Sequence, residues 1–215
     1  MMRKKYKVTL ILIVVGIGIL FTTCTTLNCP QFGKLPEQVR LERIQKSPHY
    51  IHDEFTYLVA TPMLRDGEST LKIFWDNFWA EKQQTVPPQA IPSVKTNLLA
   101  LNPQQDVVIW LGHSAYYIQL AGKRILIDPV LSEYAAPFSF LVKAFKGTTL
   151  YKVEDIPEID YLLISHDNYD HLDYSTVIQL KDKIKNVIGP LGVGSHFEYW
   201  GYSAEKFMRM IGLTH

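Results

Sequence analysis

The sequence predicts a mixed α+β or α/β domain, with strands first and strand–helix units after them. Three observations carry this. Residues 107–128 run as short apolar stretches broken by turn residues, the pattern of an antiparallel meander. Residues 161–164 are a continuous apolar run, suited to a buried strand. An amphipathic helix and another short strand follow, as in a βαβ unit. Composition agrees: of 215 residues, 47% are hydrophobic and 20% charged, with 12 Gly and 12 Pro. That excludes a disordered, collagen-like or coiled-coil chain. At roughly 150 residues per domain, the length allows one domain plus an extra segment. Twenty-two Lys and Arg against 21 Asp and Glu leave a net charge of +1, without the basic face of a nucleic-acid binder. The two cysteines, Cys24 and Cys29, can staple no main domain and form no CxxC zinc site.

Residues 1–28 have the layout of a signal or membrane anchor. Arg3, Lys4, Lys5 and Lys7 precede a run from Val8 to Phe21 that is apolar except for Thr9, Gly16 and Gly18. A bilayer span of ~20 residues is reached by counting on through Leu27. The expectation is an uncleaved single-pass anchor, with the body extracytoplasmic by the positive-inside rule. Lys34, Arg40, Arg43 and Lys46 on the far side weigh against that orientation. Cleavage, or lipidation at a poor lipoprotein-like box ending in Cys24, are the alternatives.

Residues 29–105 read as a lead-in. Proline at 30, 36, 48, 62, 87, 88, 92 and 103 keeps regular structure short. One helix stands out, capped by Ser69, with Leu71, Phe74, Trp75 and Phe78 at i, i+3, i+4 and i+7. This aromatic face either packs on the domain or lies on lipid beside the anchor.

The main domain, residues 106–215, is expected to open with strands at 107–111, 116–120 and 124–128, the last two joined by a turn at 121–123. After the strand at 161–164, Asp173 caps a helix running through Val177, Leu180 and Ile184. A strand at 187–188 stops at Gly189-Pro190, and residues 195–200 and 203–211 read as helices.

The chemistry concentrates in Ser165-His166-Asp167-Asn168-Tyr169-Asp170-His171-Leu172-Asp173. His166 and Asn168 are two apart, so in extended backbone they face the same side. Asp170 and His171 follow where the chain turns toward the helix. One loop can thus present two groups to one point and two to a point nearby, as a two-metal site with ions about 3.5–4 Å apart requires. Imidazole and carboxylate suit zinc, which brings the pKa of a bound water near 7. The plainer alternative is a polar loop whose His and Asp only hydrogen-bond one another. Four such groups in six residues after a buried strand argue against it.

This segment resembles the His-x-His-x-Asp-His signature of the metallo-β-lactamase fold. Pro92-Ser93-Val94-Lys95-Thr96, Trp110-Leu111-Gly112-His113-Ser114, Ile127-Asp128-Pro129 and Pro190-Leu191-Gly192-Val193-Gly194 resemble one branch, the bacterial relatives of N-acyl-phosphatidylethanolamine-hydrolysing phospholipase D. The resemblance implies the first half of an αββα sandwich. It implies that His166 ligates a first metal and that Asp170 and His171 ligate a second, Asp170 also orienting the attacking water. Asp128 would buttress the metal loop, and His113 would border the cleft as a structural or outer-layer residue. Asn168 stands where the family has a second histidine, and an amide oxygen binds zinc weakly. The family's remaining ligands come later in its chain, and this sequence ends at His215, so the resemblance implies an absent second half and a chain inactive alone. His196 is left unassigned. The implied function is a membrane-associated, zinc-dependent hydrolysis of a phosphodiester, with one or two zinc ions and a phospholipid as partner. The alternative is a non-catalytic, membrane-tethered remnant or binding module with a degenerate metal site. A nuclease role is disfavoured by the neutral charge.

Overall fold

The computed structural model describes residues 29–209, apart from 58, 60, 61, 63, 65, 66, 80–84, 137 and 139–141. Its centre is a six-stranded sheet whose strands lie side by side in chain order: β3 (Val107–Gly112), β4 (Ala115–Leu120), β5 (Lys123–Ile127), β6 (Ile159–Leu163), β7 (Ile184–Gly189) and β8 (Phe207–Arg209). A separate two-stranded ribbon, β1 (Tyr50–Ile51) and β2 (Glu54–Phe55), lies in the lead-in.

Strands β3, β4 and β5 form the antiparallel meander. Ala115, Tyr117 and Gln119 of β4 point inward while their neighbours are more open, the period-two pattern of a half-buried strand. Ala121 (φ 49°) and Gly122 (φ 74°) close the β4–β5 hairpin. Positive φ at both central residues matches the twist of the flanking strands. From β5 onward the pairing is parallel. Between β6 and β7 runs α3 (Tyr174–Leu180), started by Asp173, whose carboxylate accepts the Ser175 N–H at 3.1 Å. Its Val177 and Leu180 join Leu126, Ile159, Leu162 and Val187 in the core. Burying each such side chain contributes about 1.5–3 kcal/mol.

Three expectations about elements are corrected. The helix begun at Asp173 stops at Leu180, and Ile184 opens β7. Ile184 pairs with Ile159 and Lys183 Nζ donates to the Val153 and Ile156 carbonyls, so sheet pairing overrides helical spacing. Of the helix expected at 203–211, only a 3-10 turn at Ala204–Lys206 forms. Phe207–Arg209 is a strand that satisfies the open edge of β7, and residues 210–211 lie outside the described residues. Helix α2 (Thr70–Trp79) is capped by Ser69 Oγ, which accepts the Lys72 N–H at 3.2 Å. Its Leu71, Phe74, Trp75 and Phe78 are 63–81% exposed, so the expected packing of this face on the domain is not formed.

The expected anchor, residues 1–28, lies outside the described residues. Among the described residues no helix is long and apolar enough to cross a membrane. The 10 residues of α2, the longest helix there, span about 15 Å, half a hydrocarbon core of about 30 Å. The single-pass anchor with an extracytoplasmic body is therefore not supported.

The lead-in packs onto the domain through its first residues. Trp200 Nε1 donates to the Pro30 carbonyl at 2.8 Å, and Arg40 of α1 (Gln38–Gln45) pairs with Glu198 of α4 (Gly194–Tyr199). This strap passes close to the loop that follows β6.

Candidate metal centre

The carboxyl ends of β5 and β6 lie side by side, where open α/β sheets commonly bind ligands. Asp128 follows β5, buried to 3% exposure, with φ 41° and its N–H on the Leu163 carbonyl at 3.0 Å. Its Oδ1 accepts the Ser165 N–H at 2.8 Å. Its Oδ2 accepts Ser165 Oγ–H at 2.6 Å and lies 2.9 Å from His171 Nδ1. A carboxylate only accepts, so Nδ1 donates and Nε2 of His171 is left facing Asp170. The loop is folded back by two bonds to the Asn168 carbonyl, from the N–H groups of His171 (2.9 Å) and Leu172 (2.8 Å).

The opposite wall is the tight β3–β4 turn. Gly112 has φ 117°, and a Cβ there would lie 2.7 Å from the Thr148 carbonyl oxygen. His113 follows at φ 44°, its carbonyl held by Trp110 Nε1 at 2.8 Å. His113 Nε2 lies 3.0 Å from Asp170 Oδ2, and His171 Nε2 lies 3.6 Å from the same oxygen. The ligand atoms of His113, Asp170 and His171 all fall within 4.8 Å of one another. The His166 ring lies against that of His171, tilted by 43° with centroids 3.9 Å apart, and its Nδ1 is 2.9 Å from Ser165 Oγ, but it is not a member of that trio.

Burial works to raise the Asp170 carboxyl. Its own backbone N–H, the hydrogen bond from His113 and the neighbouring imidazoles outweigh burial and hold it below the usual carboxylate range. Asp167 is also held low, first by the His196 side chain and against burial. Both carboxylates are therefore ionised at neutral pH and offer acceptor oxygens. Two imidazoles and a carboxylate, one imidazole fixed from behind by a buried carboxylate, are a donor set that fits a transition-metal ion.

Two clefts flank the trio and share Asp170. One, of about 400 Å³, lies between Phe32 and Leu35 of the strap and Asp167, Asn168 and Tyr169 of the loop. The other, of about 380 Å³, is lined by apolar residues including Trp110, Val130, Val142 and Phe145 beside His113.

The loop residues His166, Asn168, Asp170 and His171 are thus brought to one end of the sheet with Asp128, and His113 joins them from a distant turn. Sequence reasoning missed His196. It is nearly buried, its Nδ1 accepts the Lys34 N–H at 3.1 Å, and its Nε2 lies 3.5 Å from Asp167 Oδ2. Nothing in the sequence links it to the loop. It also missed Ser165, whose hydroxyl sits between Asp128 and His166; its place beside a ligand-type histidine was the available signal.

Residues 123–210, which hold β5 to β8 and the whole loop, match the family model of the beta-lactamase superfamily domain. This segment, together with the relatives below, supports membership of the metallo-β-lactamase superfamily. The mixed sheet described above fits that membership. Over 168 residues the chain is 30% identical to an uncharacterized protein of Mycobacterium tuberculosis, covering 77% of this chain and 45% of that one. It is 35% identical over 100 residues to N-acyl-phosphatidylethanolamine-hydrolyzing phospholipase D 1 of Caenorhabditis elegans, covering 45% of this chain and 28% of that one. A metal-dependent hydrolase of Caldivirga maquilingensis is 34% identical over 97 residues, covering 45% of this chain and 34% of that one. The chain therefore spans less than half the length of each of these relatives.

Proposed function

We propose that this protein is a zinc-dependent hydrolase of phosphodiesters, with a phospholipid as substrate class. The observation that carries the reading is the buried Asp128, which accepts from His171 Nδ1 and so aims His171 Nε2 at the side occupied by Asp170. Asp170 and His171 would hold the metal, with His166 and Asn168 as further donors of the same loop. When bound, zinc supplies Lewis acidity toward water and the phosphoryl oxygens. The chain's own residues do the rest. Asp128 and Ser165 hold the loop's shape before any ligand arrives, so little reorganisation is left for the reaction itself. The ionised Asp170 can accept a hydrogen bond from the attacking water and orient it. The phospholipid assignment is supported by the Caenorhabditis elegans relative and by the apolar recess bordering Asp170.

The test joins zinc binding to turnover. The expected result is zinc binding by the full chain, with zinc-dependent, chelator-sensitive hydrolysis of a phosphodiester in a protein extended to the length of its relatives, and loss of both in His171→Ala. Zinc binding without hydrolysis in the extended protein would favour the second reading, a metal-binding module, which the weak donor Asn168 supports. No zinc binding by the full chain would refute the proposal.

A further inference from the structure

We infer that His113 is itself a metal ligand, completing with Asp170 and His171 a three-donor site, rather than a residue that only steadies Asp170 from outside. The inference deepens the proposed function and rests on its metal-binding reading.

The distinction between a ligand and a supporting residue is geometric. A supporting residue stands behind the ligand, on the atom that does not face the metal. Asp128 does this, contacting His171 at Nδ1, the ring nitrogen opposite Nε2. His113 does not. Its Nε2 approaches Asp170 Oδ2, the oxygen toward which His171 Nε2 also points. Three donor atoms therefore converge on one point from two segments far apart in the chain: the β3–β4 turn, and the loop after β6 that carries both Asp170 and His171.

The spacing is right for a small cation. Zinc–nitrogen and zinc–oxygen bonds of about 2.0–2.1 Å at a tetrahedral ion place neighbouring donors about 3.3 Å apart. The contacts to Asp170 Oδ2, 3.0 Å from His113 and 3.6 Å from His171, bracket that value. An Nε2–H tautomer of His113 would donate to the Asp170 carboxylate across the 3.0 Å contact. To serve as a ligand through Nε2, a neutral His113 would carry its single ring proton on Nδ1, so binding would exchange one tautomer for the other.

The backbone adds a second, independent observation. His113 sits at φ 44°, a conformation uncommon for a residue other than glycine, directly after Gly112 at φ 117°. Such outliers cost about 1–3 kcal/mol and persist where the surroundings hold them, often at functional sites. Here the close approach of Thr148 and the Trp110 indole bond hold the turn. Asp128, the other residue committed to the site from a strand end, is likewise at positive φ (41°). A lone exposed histidine with no task would not need this geometry.

The experiment is a long-range proton–nitrogen NMR correlation of the histidine rings in the full chain, before and after addition of zinc chloride, with zinc affinity measured for wild type and His113→Gln. Glutamine keeps a hydrogen-bond donor toward Asp170 but loses the imidazole. The expected result is a shift of Nε2 in both His113 and His171 on zinc addition, and a loss of at least about 100-fold in zinc affinity for His113→Gln. A shift at His171 without one at His113, or wild-type affinity in His113→Gln, would overturn the assignment while leaving the proposed metal site standing. No shift at either histidine would overturn both.

Discussion

The two walls of the site are built by opposite means. On the β5–β6 side, Asp128, Ser165 and His171 form a network of short bonds around a carboxylate that is 3% exposed. On the β3–β4 side, His113 is 55% exposed and is placed by a strained turn with few side-chain bonds of its own. The first wall is fixed by hydrogen bonds in a low-dielectric setting, where each is costly to lose. The second is fixed by backbone conformation, which sets where the ring starts but leaves the imidazole free to adjust to a ligand. One donor is thus preorganised and another adaptable.

The comparison can be broken most strongly from the buried side. Asp128→Asn keeps the size of the side chain but replaces an acceptor oxygen with a donor amide, which cannot accept from both Ser165 and His171. His171 then loses its fixed tautomer, and zinc affinity should fall about 10- to 100-fold in calorimetric titration. Affinity equal to wild type would show that the network only supports the fold.

From the strained side, Gly112→Ala should act on stability first. A Cβ there meets the Thr148 carbonyl oxygen at 2.7 Å in a φ region alanine disfavours. A loss of roughly 1–3 kcal/mol in denaturant unfolding is expected. The mutation should also weaken zinc binding by displacing His113. An unchanged unfolding midpoint would mean that the turn relaxes easily and is no device for placing His113.

The smallest effect lies away from the site and concerns acid stability. The Arg124 backbone N–H, outweighing burial and aided by Lys185, holds the Asp160 carboxyl below the usual range. A carboxylate with a lowered folded pKa stabilises above its unfolded value, about 3.9, and that contribution is lost as pH falls through the folded value. Asp160→Asn should therefore flatten the fall in stability below about pH 4 and leave the neutral-pH zinc affinity alone. An identical acid profile in the variant would show that the Arg124 and Lys185 contacts carry no linkage.

Much of this was legible in the sequence because the relevant signals are local. The alternation in 107–128 and the Ala121-Gly122 turn mark the meander, and the apolar run at 161–164 marks a strand buried between parallel neighbours. The metal loop is contiguous, so its donors could be read together. What was not legible depends on tertiary partners. Ile184 and Phe207 satisfy helical spacing as well as strand pairing, and only the open edge of the sheet decides. The aromatic stripe of α2 reads as a packed face, yet the structure leaves it exposed. His113 lies 57 residues before Asp170; the resemblance placed it at the border of the cleft, but a lone histidine does not show that a turn will aim it at that carboxylate. His196 and Asp167 meet for the same non-local reason.

The central claim is that the loop after β6 holds a metal through His171 and Asp170. Calorimetric zinc titration of the full chain against His171→Ala tests it most directly. Saturable zinc binding by the wild type is expected, with its loss, by at least about 100-fold in affinity, in a variant that keeps the same circular dichroism. Equal zinc binding by both proteins, or none by the wild type, would contradict it.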